Sequence, residues 1–332
     1  MTDDDGEELT YADAGVDIDA SEAATAALVG MVGEGDGDYA GLLDIGDRYL
    51  ALATDGVGTK LLVAEALGDY STVGIDCIAM NVNDLVAAGV RPVAFVDYLA
   101  VEEPDETFAE QVGEGLAVGA DVADIELVGG ETAVMPEVVR GLDLAGTCAG
   151  LAGKDAVFGG TAEPGDALVG WRSSGIHSNG LTLAREAVTR THAYTDAAPV
   201  DGYETVGEAL LEPTRIYTDL LDPMRAHDVR AAAHITGGGW RNLDRLGAHR
   251  YVVTDPFDAQ PVFEFVQAEG GVSDAEMHRT FNMGTGFVAA VDPATAQSLA
   301  AATGGRVIGR VEPNESADTE SEGHIEIRGM TL

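Results

Sequence analysis

The chain contains 332 residues, 45% of them hydrophobic, and carries a formal net charge of −40. Its length and apolar content predict two domains with extensive cores, whereas the charge argues against nucleic acid or an anionic membrane as a partner. The excess of acidic over basic residues, 58 against 18, favours a cytoplasm of high salt, where multimolar ions would screen the self-repulsion. No apolar run of the sequence is long enough to span a bilayer, so we expect a cytoplasmic protein.

The N-terminal part of the chain is acidic and leads into one predicted helix. Residues 1–10 are expected to form a mobile acidic arm, and this acidic start is unlike a secretory signal. A helix is predicted over Glu22–Val32, with Asp19 or Ser21 as its cap. The acidic, glycine-rich run that follows, Gly33–Asp38, lacks the preceding strand and the spacing of a dinucleotide-binding loop.

The stretch Thr54–Lys60 combines a carboxylate, two glycines, two hydroxyls and a lysine at a predicted strand-to-helix junction. The flanking elements are strands over Leu42–Ile45 and Tyr49–Ala53 and a helix over Leu61–Leu67. Free backbone N–H groups and the helix dipole favour anions at such a junction, and Asp55 suits a hard cation such as Mg²⁺. The alternative is a simple turn. Lys60 favours a functional role, because the chain has only one other lysine.

The next predicted helix, Gly74–Gly89, carries polar side chains among apolar ones. Asp76 and Asn83 are seven residues apart and share a face, and Asp84 lies one residue further round the helix. Polar groups are costly when they are buried without partners, so these three side chains predict a metal site. The alternative is an acidic stripe that faces solvent.

Two further predicted strands of the first domain end beside carboxylates. The strand Arg91–Tyr98 ends near Asp97, and the strand Ile125–Val128 leads into the Gly-Gly-Glu run at 129–131. Ligands of open α/β sheets gather at the carboxyl ends of strands, so these carboxylates join Asp55 as candidates. The other elements predicted here are a helix over Pro104–Gly119 and a strand over Leu142–Leu151.

A domain boundary is predicted at Thr161–Asp166, after which the second domain starts with the strand Ala167–Trp171. This strand leads into the loop Ser173–Gly180 and a helix over Leu181–Thr191. Small hydroxyl residues and glycine ahead of a helix suit a phosphate or another anionic group, and His177 is a candidate titrating group. The alternatives are an Asn-Gly turn and a structural histidine.

A second glycine-rich loop, Ile235–Gly239, follows Ala231–His234 and precedes a short predicted helix over Trp240–Leu246. Two such loops in one domain favour ligand binding over simple turns. The remaining predictions are a loop over residues 192–208, a helix that ends at Met224, strands over Val288–Val291, Val307–Val311 and Ile325–Ile327, and a helix over Pro293–Thr303.

Eight blocks of the sequence together resemble the phosphoribosylformylglycinamidine cyclo-ligase family, also called aminoimidazole ribonucleotide synthetase. The blocks are Tyr11–Asp19, Thr54–Lys60, Gly74–Tyr98, Gly129–Pro136, Ser173–Gly180, Pro213–Tyr217, His234–Gly239 and His278–Gly286. They occur in one order over nearly the whole chain. The Ser-Ser-Gly-Ile-His-Ser-Asn-Gly and His-Ile-Thr-Gly-Gly-Gly runs are the most diagnostic.

This resemblance implies an α/β (α+β) fold of two domains. Residues 11–165 would bind ATP and metal and form a homodimer through paired sheets, and residues 166–332 would bind the substrate. The implied reaction is ATP-dependent ring closure of formylglycinamidine ribonucleotide to aminoimidazole ribonucleotide, ADP and phosphate, through an O-phosphorylated amide. Such chemistry relies on positioning and charge neutralisation. The implied cofactors are ATP and Mg²⁺, with K⁺ as a further candidate.

The residues carried over from the resemblance fall into four groups. The candidate catalytic groups are His177, His234 and Lys60. The implied ATP contacts are Thr54, Asp55, Gly56, Gly58, Thr59, Lys60, Asn83, Asp97, Gly129 and Gly130. The implied substrate contacts are Ser173, Ser174, Gly175, Ser178, Asn179, Gly180, Arg215, Thr236, Gly237 and Gly238. The implied metal ligands are Asp55, Asp76, Asp84 and Glu131.

Two alternative functions are weighed against this one. The first is another ATP-using member of the same superfamily. Selenophosphate synthetase would want a reactive cysteine near the N-terminus, whereas the first cysteine here is Cys77, and the hydrogenase-maturation factor would want a C-terminal cysteine. The second alternative is a non-catalytic acidic protein that binds nucleotide or metal. One departure from the family pattern is the absence of lysine and arginine from Ser21–Val32, which weakens the case for a direct ATP contact there.

Overall fold

The computed structural model describes residues 9–16, 23, 24, 27, 39–314 and 324–332. Residues 1–8 of the predicted arm, the Gly33–Asp38 run and all but three residues of the helix predicted over Glu22–Val32 lie outside the described residues. The described chain forms two sheets accompanied by helices, which confirms the α/β prediction. Within these ranges no helix is long and apolar enough to cross a membrane.

The first unit is built on a five-stranded sheet in the order β1-β2-β5-β3-β4. Its strands are β1 (Gly41–Asp44), β2 (Arg48–Gly56), β3 (Arg91–Val101), β4 (Glu126–Val134) and β5 (Leu142–Gly153). Its helices are α1 (Leu61–Leu67), α2 (Val73–Ala87) and α3 (Glu106–Ala123), and a 3-10 turn, Gly58–Lys60, precedes α1. Neighbouring strands are antiparallel except β3 and β4, which are parallel. Helix α3 therefore provides the crossover that a parallel pair requires.

Helices α2 and α3 pack closely because glycine lies where they cross. A Cβ added to Gly74 of α2 would lie 2.2 Å from the backbone nitrogen of Leu116 in α3. The side chain of Asp105 starts α3 by accepting hydrogen bonds from the backbone N–H groups of Thr107 and Phe108. Helix α2 also lies against β2, β3 and β5, so this helix pair fixes how the polar residues of α2 are presented.

The second unit contains a seven-stranded sheet in the order β12-β11-β8-β10-β6-β9-β7. Its strands are β6 (Ala167–Arg172), β7 (Ala231–His234), β8 (Arg250–Val253), β9 (Thr285–Val291), β10 (Arg306–Glu312), β11 (His324–Ile327) and β12 (Met330–Thr331). Its helices are α4 (Leu181–Thr189), α5 (Val206–Leu211), α6 (Leu221–Ala226), α7 (Pro261–Gly270), α8 (Asp274–Thr280) and α9 (Pro293–Thr303), with 3-10 segments at Thr218–Leu220 and Gly239–Leu246. Trp171 and Phe287 lie in one core cluster, and Trp240 and Tyr251 lie in another. The sheet is therefore buried on both faces, which explains the continuous apolar sequence of its central strands.

Three strands of the first unit extend beyond their predicted ends and include candidate site residues. Strand β2 pairs with β5 as far as Gly56, so Asp55 is a strand residue. Strand β3 continues past Asp97, and β4 continues past Glu131. Glycine and acidic residues have low strand propensity, which is why the sequence suggested earlier ends; hydrogen bonding to neighbouring strands overrides that preference.

Several elements of the second unit were not predicted. They are β8, β12, α5, α7 and α8. Local signals were present for the three helices: a Thr205–Glu208 capping box starts α5, proline occupies the first turn of α7, and Ser273 caps α8. The short length of these helices obscured their apolar periodicity.

The described N-terminal segment, residues 9–16, packs on the second unit. The backbone N–H of Tyr11 donates to Glu276 Oε1 at 2.9 Å, and Leu9 is buried beside Gly270. Leu9, which the prediction assigned to the acidic arm, therefore packs on the second unit. Residues 11–16 also lie against the unit opposite to the one to which we assigned them.

One core cluster runs through both units. It includes Leu61 of α1 together with Val206 and Leu210 of α5. The side chain of Leu67 approaches so closely that a Cβ added to Gly207 would lie 2.6 Å from it. Apolar burial therefore joins the two units directly.

We expect Gly74→Ala to destabilise the protein by about 1 to 3 kcal/mol, because the added methyl group would meet backbone atoms of α3. Gly113→Ala is the matched control in α3, since a Cβ there meets nothing within 4 Å. The control should stabilise the protein by about 0.5 to 1 kcal/mol through helix propensity. Denaturant unfolding at one fixed high salt concentration measures both changes. Similar effects of the two substitutions would contradict the described packing.

Candidate active site

The Ser173–Gly180 loop of the second unit lies against the strand-to-helix junction of the first, and the other glycine-rich loop lies beside it. Ser178 Oγ donates a hydrogen bond of 2.7 Å to the carbonyl oxygen of Val57. The loops also approach each other, because a Cβ added to Gly237 would lie 3.5 Å from Asn179 Oδ1. Three motifs that are far apart in the sequence therefore meet at one place.

A carboxylate–histidine pair crosses the contact between the units at this place. His234 Nδ1 lies 3.1 Å from Asp84 Oδ1, and His234 Nε2 lies 3.4 Å from Asn83 Nδ2. The backbone N–H of Tyr217 donates to Asn83 Oδ1, which fixes the orientation of the amide. Asn83 Nδ2 can only donate, so His234 accepts there and its Nδ1 carries the proton that bonds to Asp84. Both ring nitrogens of buried His234 are thus engaged, and the ring orients Asp84.

Asp55 faces the same place and is destabilised in its charged form. Burial, and next the charge of Asp84, raise the pKa of Asp55 to about 6. The backbone N–H of Gly56, His234 and Arg245 act in the opposite direction. A cation bound between the two carboxylates would relieve their repulsion.

Asp55 and Asp84 are two potential ligands for a divalent cation. Among the residues that the structure describes, no group of three or more His, Cys, Asp or Glu side chains is arranged to hold a metal ion. Mg²⁺ commonly uses one or two carboxylates and completes its shell with water and phosphate oxygens. Two carboxylates match the protein's share of such a coordination shell.

The other two predicted strand-end carboxylates lie on opposite faces of the first sheet. Asp97 and Asp55 both pair with Gly146 of the intervening strand β5 and share its helix-covered face. Glu131 pairs with Tyr98, the neighbour of Asp97, and so lies on the other face. We predicted that Glu131 would lie beside Asp55. Within one subunit this is wrong, because β4 continues through Glu131 and the alternation of side chains along the strand directs Glu131 to the other face.

The glycines that precede Glu131 also lie within a strand, although they were predicted to form a loop. Gly129 and Gly130 belong to β4. A Cβ added to Gly130 would lie 2.2 Å from Asp97 Oδ1, so glycine leaves room for the Asp97 carboxylate. Thr54, another implied ATP contact, precedes Asp55 in β2 and therefore lies on the opposite face, where it donates to the carbonyl oxygen of Gly146.

Lys60 and Asp76 are bound to each other away from solvent. Lys60 Nζ lies 2.7 Å from Asp76 Oδ2, and both side chains are fully buried. The other Asp76 oxygen accepts hydrogen bonds from the backbone N–H and hydroxyl of Thr214. The charged groups of both side chains already have partners, which argues against the predicted catalytic and phosphate-binding roles of Lys60 and against Asp76 as a metal ligand.

His177 is held neutral in a left-handed backbone conformation, with φ at 67°. Its Nε2 accepts the backbone N–H of Ser174 at 3.1 Å, so Nδ1 carries the proton. Burial, followed by the nearby positive charges of Lys60 and Arg215, keeps the pKa of His177 well below its ordinary value. Within the part of the chain that the structure describes, Nδ1 has no hydrogen-bond partner. A neutral ring with a free N–H suits donation to a ligand oxygen.

Several further implied substrate contacts differ in how they are held. Arg215 is half-buried, with Cζ 4.9 Å from the Tyr217 ring. Ser173 is buried, and Gln260 Nε2 donates to its hydroxyl oxygen at 3.1 Å, so its role is structural. Gly180 and Gly238 have φ values of 72° and 89°, which favour glycine at these helix starts.

Two asparagines that sequence analysis did not single out hold the loops in shape. Asn242 Nδ2 donates to the carbonyl oxygens of Gly237 and Gly239 at 3.2 and 2.8 Å. Asn282 Nδ2 donates to the carbonyl oxygen of Gly175 at 2.9 Å. The sequence signals for these asparagines were weak. Asn242 follows a glycine-rich loop, and Asn282 lies within a block of the resemblance. Nothing local indicated which loop each one binds.

We expect Asp55→Asn to stabilise the fold at pH 8 by at most about 3 kcal/mol, because a carboxyl pKa raised by about two units disfavours the ionised folded form. The unfolded carboxyl has a pKa of about 3.9. Wild-type stability should therefore fall, relative to the variant, as the pH rises from about 4 to about 6. Thermal unfolding of both proteins between pH 4 and pH 8 at constant salt measures this difference. An equal difference at both ends of the range would contradict the environment described for Asp55.

Comparison with known proteins places this chain in a family. The models "AIR synthase related protein, N-terminal domain" and "AIR synthase related protein, C-terminal domain" match residues 37–152 and 163–320. Phosphoribosylformylglycinamidine cyclo-ligase of Methanosarcina mazei is 48% identical over 315 residues, which cover 91% of this chain and 95% of that protein. Two solved structures share the fold at 17% identity. A ThiL protein complexed with AMPPCP and TMP has a TM-score of 0.67 and covers 95% of this chain and 94% of its own. Hydrogenase maturation protein HypE in complex with ATP has a TM-score of 0.62 and covers 91% of this chain and 88% of its own. The chain therefore belongs to the AIR synthase related family, together with relatives named phosphoribosylformylglycinamidine cyclo-ligase.

Proposed function

We propose that the chain is an ATP-dependent cyclo-ligase of de novo purine synthesis. It closes the ring of formylglycinamidine ribonucleotide and releases aminoimidazole ribonucleotide, ADP and phosphate in a salt-rich cytoplasm. The observation that carries this proposal is the 48% identity to a cyclo-ligase over 91% of the chain. The meeting of Asp55 and Asp84 with two glycine-rich loops supports a site for a charged nucleotide beside a ribonucleotide.

The proposed reaction joins phosphoryl transfer to ring closure. The γ-phosphoryl group of ATP moves to the formyl amide oxygen, and ADP leaves. The amidine nitrogen attacks the activated carbon and loses a proton, and the C–O bond breaks to release phosphate. Positioning of the reactants and neutralisation of phosphate charge supply most of the rate enhancement in such chemistry.

The nucleotide side of the site is proposed to lie at Asp55 and Asp84. Fold neighbours in complex with AMPPCP and with ATP support a nucleotide site in this architecture. Mg²⁺ would neutralise phosphate charge here. Because the pKa of Asp55 is raised to about 6, its carboxyl group loses its proton as the pH rises through that value, and the binding of Mg²⁺ with the nucleotide should strengthen. Gly56, Gly58 and Thr59 follow Asp55 directly and remain the proposed backbone and hydroxyl contacts, with Asp97 behind them on the same sheet face. K⁺ is a second candidate cation.

The substrate side is proposed to lie at the two loops of the second unit. Ser174, Gly175, Ser178 and Asn179 belong to one loop, and Thr236 and Gly237 belong to the other. His177 presents a neutral N–H that can donate to the amide or phosphoryl oxygen, and Arg215 offers a positive charge to the ribonucleotide phosphate. His234 acts by orienting Asp84.

We expect ADP release to depend on formylglycinamidine ribonucleotide and to match aminoimidazole ribonucleotide formation one to one in multimolar salt.

Asp84→Asn should lower kcat/KM at least about 100-fold, because it removes a charge that faces the nucleotide and the partner of His234. Asp121→Asn, on the exposed side of α3, is the control and should leave turnover unchanged. ATP turnover with thiamine monophosphate and none with the ribonucleotide would instead indicate a sister activity, and nucleotide binding without turnover would indicate a binding protein.

We also propose that two copies pair through the open face of the first sheet. Leu52, Val96 and Tyr98 lie on this face and are 47%, 40% and 44% exposed. Leu43 pairs with Leu50 on the same face. A monomer seldom leaves a broad apolar sheet face in water, and a second copy with the same surface would cover it symmetrically.

We expect Leu52→Glu to shift the protein from dimer to monomer in sedimentation velocity at high salt, because it places a charge in the proposed apolar contact. Val118→Glu is the matched control. Val118 is 51% exposed but lies on α3, outside the open sheet face. A wild-type monomer, or loss of the dimer in both variants, would contradict pairing through this face.

A further inference from the structure

The contact between the two units contains a closed cluster of charged and polar groups beside the candidate active site. Lys60, before α1, and Asp76, on α2, belong to the first unit. Lys60 Nζ also donates to the carbonyl oxygen of Glu212 at 2.7 Å. Asp76 Oδ1 accepts the backbone N–H of Thr214 at 2.8 Å and its hydroxyl at 2.6 Å. The segment of the second unit that contains Glu212 and Thr214 is therefore bound by both members of a buried ion pair.

A buried ion pair is tolerated only when its remaining donors and acceptors have partners. Burial lowers the pKa of Lys60, while the charge of Asp76 acts in the opposite direction. If the Glu212–Thr214 segment moved away, Lys60 would lose the Glu212 carbonyl and Asp76 would lose two hydrogen bonds to Thr214. Lys60 and Asp76 would still pair with each other, but buried charged groups that lose hydrogen-bond partners are unfavourable, so these contacts favour one position of the segment.

This segment supports the loop that contains His177. Ser174 Oγ donates to the carbonyl oxygen of Pro213 at 2.6 Å, and the backbone N–H of Ser174 donates to His177 Nε2. On the other side, Asn83 Nδ2 donates to the carbonyl oxygen of Arg215 at 2.9 Å. The path from Asp76 to His177 therefore consists of short, directional contacts through Thr214, Pro213 and Ser174.

We propose that Lys60 and Asp76 are positioning residues that clamp Glu212–Thr214 between the units and thereby set the position of the Ser173–Gly180 loop. The clamp affects the ribonucleotide side of the site, whereas a direct phosphate contact by Lys60 would affect nucleotide binding. This inference rests on the proposed function for the identity of the substrate. The clamp itself rests on contacts that do not depend on that identity.

Substitutions at Thr214 test the clamp with little change in shape. Thr214→Val removes the hydroxyl that bonds to Asp76, and Thr214→Ser retains it. We expect Thr214→Val to raise the KM for formylglycinamidine ribonucleotide about tenfold, as loss of one hydrogen bond to a charged group would do. The KM for ATP should change less than about twofold, and Thr214→Ser should stay near wild type on both measures.

Thr182→Val is the matched control at the same contact. It removes the Thr182–Thr59 hydroxyl contact of 2.9 Å between the units but leaves the clamp intact. We expect the KM for the ribonucleotide to stay near wild type. A similar rise in Thr182→Val and Thr214→Val would show a general effect of loosening the units and would overturn the clamp.

Lys60→Met separates the clamp from a nucleotide contact. The clamp predicts an unchanged Kd for AMPPCP in the folded variant, and a large rise in that Kd would overturn it. Backbone hydrogen exchange around position 214, compared between the wild type and Thr214→Val, provides a readout without turnover. Exchange should accelerate at the amides of residues 212 and 214–217 more than in α9, and unchanged protection there would also overturn the clamp. Failure of wild-type turnover with the ribonucleotide would reject the proposed function, while the exchange result would still decide the clamp.

Discussion

The buried ion pair between Lys60 and Asp76 is the constraint on which the arrangement of the two units depends. Apolar burial joins the units without direction, as the cluster around Leu61 and Leu210 shows. The ion pair adds direction, because its charges need the Glu212 carbonyl and the Thr214 donors at fixed places. The first unit thereby determines where the loops of the second unit lie.

The candidate site itself is arranged for ligands at a cost to the free protein. Asp55 and Asp84 repel each other, and burial makes the charge on Asp55 more unfavourable. His177 keeps a buried N–H without a partner among the described residues. Supporting residues offset these costs: Asn242 and Asn282 bind the loop carbonyls, and His234 orients Asp84. Groups proposed to meet the ligands remain unsatisfied, whereas His234, Asn242 and Asn282 are hydrogen-bonded to the groups that they position.

The sequence predicted the fold class and the main motifs because glycine-rich junctions and apolar strands leave strong local patterns. The sequence could not distinguish a phosphate-binding Lys60 from a buried, ion-paired one, because the partners Asp76 and Glu212 come from other segments of the chain. Glu131 was misplaced for a different reason. The predicted end of β4 was six residues too early, and alternation along the strand put the side chain on the other face. Asn242 and Asn282 act over contacts that no local pattern encodes.

The open apolar face of the first sheet has a consequence for a chain with a net charge of −40. If two copies join there, the complex concentrates twice that charge around one apolar contact. In dilute buffer the long-range repulsion would push the copies apart, whereas concentrated ions shorten its range to a few ångströms, about 3 Å at 1 M. Salting-out ions also strengthen the burial of apolar surface. The ionic strength of the surroundings would then regulate assembly, and dilution of the medium would separate the copies.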